Sequence, residues 1–275
     1  MRIRVVVFVS APSEEVPVVE DLWRRLGLPV SPRPMFHNFN ATVWRDSYEF
    51  ELLTDFVKEH EHSITYRFRE ERVYTPGELA GFEFLRVTVT AYAGFGAENF
   101  GPVYDKSSAC PACGLSGWRQ TSPLIINKRE MGKKDLAITY SFEYLSSDRL
   151  KLALEANGIG GYCLMPVRHK TDTLGTNEPR IWQITSAHIL PPMVPPTVLE
   201  RSAAYCETCD RTGVYLKSEP YYSPKGFIAE DINFTAECFG ERPFATHDVV
   251  ISQRTYRLLR ELKVRNFRVE PVHLI

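Results

Sequence analysis

The run CPACGLSGW, residues 110–118, folds two cysteines into one tight turn, and the pattern returns at residues 206–214 as CETCDRTGV. A C-x-x-C turn aims two sulfurs at one point, which is half of the four-ligand shell that zinc prefers. After the cysteines, both runs carry a small hydroxyl residue and a glycine at the same offsets, Ser116-Gly117 and Thr212-Gly213. Gly114 follows the second cysteine of the first run, where a turn of positive φ suits glycine. Asp210 holds that place in the second run, and Asp is among the few other residues that tolerate it. Backbone N–H groups of such turns can point at the sulfurs and favour thiolate. Six cysteines in a chain of 275 residues give about 0.1 C-x-x-C pairs by chance. Two with matching tails therefore predict one structural zinc held by Cys110, Cys113, Cys206 and Cys209. The alternatives are metal-free remnant pairs and a thioredoxin-like redox pair. The redox motif needs a C-x-x-C that follows a strand and opens a helix, and neither run does.

Behind each knuckle lies a second match. SDRLKLALEANGIGGYCLMPV, residues 147–167, aligns without gaps with SQRTYRLLRELKVRNFRVEPV, residues 252–272. In both copies a serine caps a short helix. Apolar residues at 150, 153 and 154, or at 256, 258, 259 and 262, form its buried stripe. A turn at Asn157-Gly158, or around Arg265-Asn266, ends the helix, and a strand follows up to a proline. Strand candidates DLAITYSFEYL (135–145) and HDVVIS (247–252) precede the two helices. The unit of knuckle, strand, helix and strand thus occurs twice. The expected fold is α+β: two related half-modules over residues 101–275 that share a zinc-ribbon-like four-cysteine site, with an N-terminal α/β region over residues 1–100.

That N-terminal region has no C-x-x-C and no visible repeat with the rest. RIRVVVFVS reads as a strand, VPVVEDLWRRLG as a helix ending at Gly27, and SYEFELLTDFVKEH as a helix burying Phe50, Leu53, Phe56 and Val57. SITYRFREERVYT and FEFLRVTVTAYA alternate like strands. His60 and His62 are read as a solvated polar strand end. Cys163 and Cys238, each alone in an apolar run, are read as small buried hydrophobes. The glycines of AYAGFGAENFGP (91–102) lack the Lys-Ser/Thr and the helix of a P-loop. The four prolines of LPPMVPPTVLE (190–200) make a stiff linker into the second knuckle.

Composition narrows the class further. Hydrophobic residues are 44% and charged residues 24% of the chain, ordinary globular values. Lys and Arg (33) balance Asp and Glu (34) for a formal charge of −1, which excludes a strong global pull toward nucleic acid or anionic lipid. The apolar run at residues 5–9 is too short to span a bilayer, and the proline and glutamates after it do not suit a signal peptide. A cytoplasmic protein is expected, and in that reducing setting paired C-x-x-C runs point to metal rather than disulfides. No G-x-S-x-G, H-E-x-x-H or zinc-deaminase run is present. A four-cysteine zinc leaves no open position for water, so no enzyme is expected.

CPACG, RIWQITSAHILPP, CETCDRTG, EDINFTAECFG and the closing VVISQRTYRLLRELKVRNFRVEPV together resemble the double-CXXCG motif proteins. These are bacterial paralogues abundant in myxobacteria and linked to immunity against polymorphic toxins. The resemblance covers residues 101–275, about two thirds of the chain, and departs at Asp210, where the second motif should have glycine. It implies a cytosolic zinc-binding protein that neutralises a cognate toxin by stoichiometric binding and needs no nucleophile. The competing class is a zinc-ribbon nucleic-acid binder, for which NKREMGKK (127–134) is the local basic patch.

Overall fold

Valines at every second position give β1, Arg2–Ser10, one oily face on which Val5, Val7 and Val9 are buried. The computed structural model describes residues 1–30, 37–94, 103–114, 117–169, 180–186, 188–241 and 245–275. β1 is the centre of an antiparallel sheet, between β2, Asn38–Trp44, and β3, Thr65–Val73. Phe39, Ala41 and Val43 of β2 share the buried face. Two helices add to that core, α1 (Val16–Arg25) through Val19, Leu22 and Trp23, and α2 (Tyr48–Glu59) through Leu53, Phe56 and Val57. α2 begins where the Ser47 hydroxyl accepts the Phe50 N–H, satisfying a donor that the first turn would otherwise leave unpaired. The buried Trp23 indole donates to the Asn40 carbonyl at 3.3 Å, so burying the ring strands no polar group. Each fully buried side chain of Leu53 size stabilises this core by roughly 2 kcal/mol.

This core belongs to the first of two compact units, Met1–Glu78 and Leu79–Ile275. The division falls in a single helical turn, α3 (Pro76–Leu79), not at residue 100. The reason is β4, Phe84–Val89, which is hydrogen-bonded between β17, Thr246–Ser252, and β18, Phe267–Pro271. Those partners lie far along the chain, and alternation alone does not name them.

The second unit contains two four-stranded antiparallel sheets. One consists of β8 (Leu136–Ile138), β9 (Tyr144–Ser147), β10 (Tyr162–Pro166) and β12 (Ile181–Ser186), in the order β10-β12-β9-β8. The other adds β16 (Ile232–Phe239) in the order β16-β17-β4-β18. Helices α4 (Asp148–Ala156) and α5 (Gln253–Glu261) start at the expected serines. The Ser147 hydroxyl accepts the Leu150 N–H, and the Ser252 hydroxyl accepts the Thr255 N–H. Leu150 and Leu154 are the buried residues of α4; Thr255, Tyr256, Leu258 and Leu259 are those of α5.

Three local expectations are corrected. DLAITYSFEYL is not one strand: Phe142 takes a φ of +65° between β8 and β9, and the segment doubles back as a hairpin. Cys163 is exposed, because β10 is the edge strand of its sheet, whereas Cys238 is buried as expected. His60 caps the end of α2 and stacks on Phe56 with ring centroids 4.2 Å apart, and the strand begins only at Thr65.

Arg86 pins β4 in its slot. Its guanidinium lies 2.6 Å from Asp248 of β17 and 2.8 Å from Glu270 of β18. Burial opposes the Arg86 charge, but the two flanking carboxylates outweigh it and raise its pKa. Arg86→Met should therefore leave two unneutralised carboxylates and cost about 3 kcal/mol. Ser252→Ala, which removes one cap, should cost about 1 kcal/mol. Urea unfolding measures both, and equal losses would contradict the ranking.

Candidate metal centre

Each knuckle is the tip of a two-stranded hairpin. β5 (Tyr104–Asp105) pairs with β6 (Arg119–Gln120) around Cys110 and Cys113. β13 (Leu199–Arg201) pairs with β14 (Val214–Leu216) around Cys206 and Cys209. Within the tips, the Gly114 N–H donates to Cys110 O at 2.7 Å and the Asp210 N–H to Cys206 O at 2.8 Å. Gly114 and Asp210 have φ of +71° and +53°, so the aspartate adopts the turn that glycine adopts in the first run. Gly117 and Gly213 are needed for space as well as for φ. A Cβ on Gly117 would stand 2.2 Å from Ser108 O, and one on Gly213 2.3 Å from Tyr205 N. Ser116 lies outside the described residues, as does most of the glycine-rich run at 91–102.

Two anchors hold the hairpins in place. The first hairpin is tied to β12 by a reciprocal amide pair between Gln120 and Gln183, with N···O distances of 3.0 and 2.9 Å. The second is tied to the end of β16 through the Gly213 N–H and Gly240 O at 2.8 Å.

The result is the meeting that the spacing predicted. The sulfurs of Cys110, Cys113, Cys206 and Cys209 all lie within 4.8 Å of one another. Cys110 is 4.0 Å from Cys206 and Cys113 is 3.7 Å from Cys209. Four sulfurs at about 2.3 Å from a tetrahedral metal stand about 3.8 Å apart, so the cluster has the right size for one ion. No disulfide joins any of the six cysteines. Cys110 and Cys206 are buried, while Cys113 and Cys209 are half-buried. Backbone N–H groups of Cys209 and Thr208 hold the Cys206 thiol below its ordinary range, the direction a metal-binding sulfur requires.

Other side chains surround the two knuckles. The Thr212 hydroxyl is buried without a hydrogen-bond partner, in the same turn whose carbonyl accepts the Cys206 N–H. Lys106 sits 3.9 Å above the Trp118 ring, and the indole N–H closes onto Gly114 O at 2.9 Å. Arg201 covers Tyr205 beside the other knuckle at 4.4 Å. Sequence reading passed over these cation–aromatic pairs, because their members are separated by a knuckle or a turn and no motif links them. Cys238 is not a fifth ligand: burial pushes its thiol up to about 11, and it stands outside the four-sulfur group. Four protein sulfurs of this kind can hold a metal ion in a closed shell, with no position left for substrate.

Among the described residues, no helix is long and apolar enough to cross a membrane. No protein-family model matches the chain, and no curated protein matches it.

The two first-knuckle glycines separate φ strain from steric clash. Gly114→Ala meets nothing within 4 Å and should cost about 1–2 kcal/mol for its left-handed backbone. Gly117→Ala must displace the Ser108 carbonyl and should lose metal as well as stability. Metal content and thermal melting of the two variants test this, and matched behaviour would contradict the steric argument.

Proposed function

We propose that this chain is a zinc-binding immunity protein that blocks a cognate toxin by stoichiometric binding. In this reading, two related half-modules contribute one knuckle each to a shared zinc. The observation that carries the metal assignment is the convergence of four cysteine sulfurs within 4.8 Å. A set of four soft thiolates at tetrahedral spacing favours zinc over harder cations. Such an ion is structural: it cross-links two hairpins and supplies no reactive water. The partner assignment rests on the resemblance to the double-CXXCG motif proteins, and a toxin-blocking protein acts by occupying a surface rather than by turnover. The bacterial and cytoplasmic setting comes with that resemblance.

A nucleic-acid reading has one observation in its favour. Arg2, Arg4, Arg67 and Arg69 share one sheet face with Phe8 and Trp44, by the register of β1 with β2 and β3. Three of those arginines already have carboxylate partners: Asp46 pairs with Arg2, and Glu71 with both Arg4 and Arg69. Paired arginines have little charge left to release counterions from a phosphate backbone, so the toxin-blocking reading is preferred.

Co-expression with the adjacent gene tests the function. Protection of cells at equimolar levels, with a 1:1 complex on purification, is the expected result. Failure to protect against a neighbour that is demonstrably toxic contradicts it. The role of the metal is tested separately. Cys209→Ser should lose at least about 4 kcal/mol, the scale of losing a structural metal, whereas Cys163→Ser on its exposed edge strand should change little. Equal melting temperatures for Cys209→Ser and the parent would show that no metal supports the fold.

A further inference from the structure

The strand that sequence reading assigned to the N-terminal region has a counterpart. β4 starts at Phe84 and β12 at Ile181, 97 positions apart, almost the same offset as the 96 between Cys110 and Cys206. Each is hydrogen-bonded on both sides by antiparallel strands that flank a serine-capped helix: β4 by β17 and β18, β12 by β9 and β10. Both strands then leave their sheet and cross to the other one. Tyr92 bridges to Ile138 in parallel, and Ile189 bridges to Phe234 in parallel. The Ala93 N–H donates to Ile138 O at 2.8 Å, and the Leu190 N–H to Phe234 O at 2.8 Å.

The correspondence continues in contacts within each half and between the two. β7 (Ile125–Ile126) pairs in parallel with β11 (Arg168–His169), and β15 (Tyr221–Tyr222) pairs in parallel with β19 (His273–Leu274). The Val167 N–H donates to Ile181 O, and the Val272 N–H to Phe84 O. Ser147 and Arg149 both bond Asp135, and Ser252 and Arg254 both bond Asp231. Arg149 of α4 then reaches Leu262 O at the end of α5, while Arg254 of α5 reaches Asn157 O at the end of α4. A contact made in both directions by equivalent residues is the signature of an isologous, twofold interface. A cavity of about 40 Å³ between the halves is lined by equivalent pairs, among them Val87 with Ile184 and Leu154 with Leu259.

We infer that residues 79–275 are a fused dimer, in which the partner each half requires is the other half. Each half contributes its first strand to complete the other's sheet, independently of whatever protein the whole chain binds. The two slots are matched to their strands by one polar position. Arg86 fits between Asp248 and Glu270, while its equivalent Gln183 fits the Gln120 amide. Exchanging the strands would leave two carboxylates without their cation, a cost that specifies the correct pairing.

Sheets completed by exchange of β4 and β12 require no continuous chain between the two halves. Hydrogen exchange of the intact chain in increasing urea tests the mutual dependence. Peptides from 136–166 and from 232–271 should open at one shared midpoint, and two separate midpoints would overturn the inference. A permuted full-length chain tests whether that covalent continuity is needed. It is opened within 170–179 and joined from Ile275 to Met1 by a flexible linker. Folding with the parent's metal content and shared midpoint is expected. A permuted chain that neither folds nor holds metal would overturn the inference.

Discussion

Four cysteine sulfurs within 4.8 Å of one another constrain everything around them. As thiolates without a cation they would repel, each pair at such distances by about 4 kcal/mol at the effective dielectric of a protein surface. As thiols they would occupy a partly buried site with weak hydrogen bonding. A divalent ion would remove both difficulties, and the hairpins that present the sulfurs are each anchored to a sheet. One hangs from β12 through a pair of amides and the other from β16 through a backbone bond. The knuckles meet because the sheets that carry them are already interlocked.

That interlock explains why the second unit contains sheets that are not simple local hairpins. β4 and β12 each pair with one sheet and then bridge to the other, so closing either sheet fixes part of both. Apolar residues such as Leu154 and Leu259 line the cavity between the two four-stranded sheets, and the buried Arg86 triad adds register that packing alone would not supply. A metal at the hairpin tips would reinforce an association that strands and helix ends already set.

Local chemistry was legible in the sequence, and distant pairing was not. Ser147 and Ser252 announced their helices because a cap acts within three residues. The paired C-x-x-C runs announced the site because turn geometry fixes both sulfurs. The like pairing of β4 and β12 was hidden: FLRVTV and IWQITS share the alternation of any half-buried strand and little else. Its visible sign was the spacing to the following knuckle, nearly the same in both copies. Cys163 was misjudged because an apolar run does not say whether its strand is at an edge. The broken strand around Phe142 shows the same limit, since a single residue at positive φ redirected the chain where neighbouring residues favoured continuation.

The central claim is that two half-sites 96 residues apart form one four-sulfur metal centre. X-ray absorption at the zinc edge, on protein purified without chelator, tests it directly. The account predicts one zinc per chain with four sulfurs at about 2.3 Å and no nitrogen or oxygen in the first shell. Metal content near zero, or a shell of two sulfurs completed by lighter atoms, would contradict it.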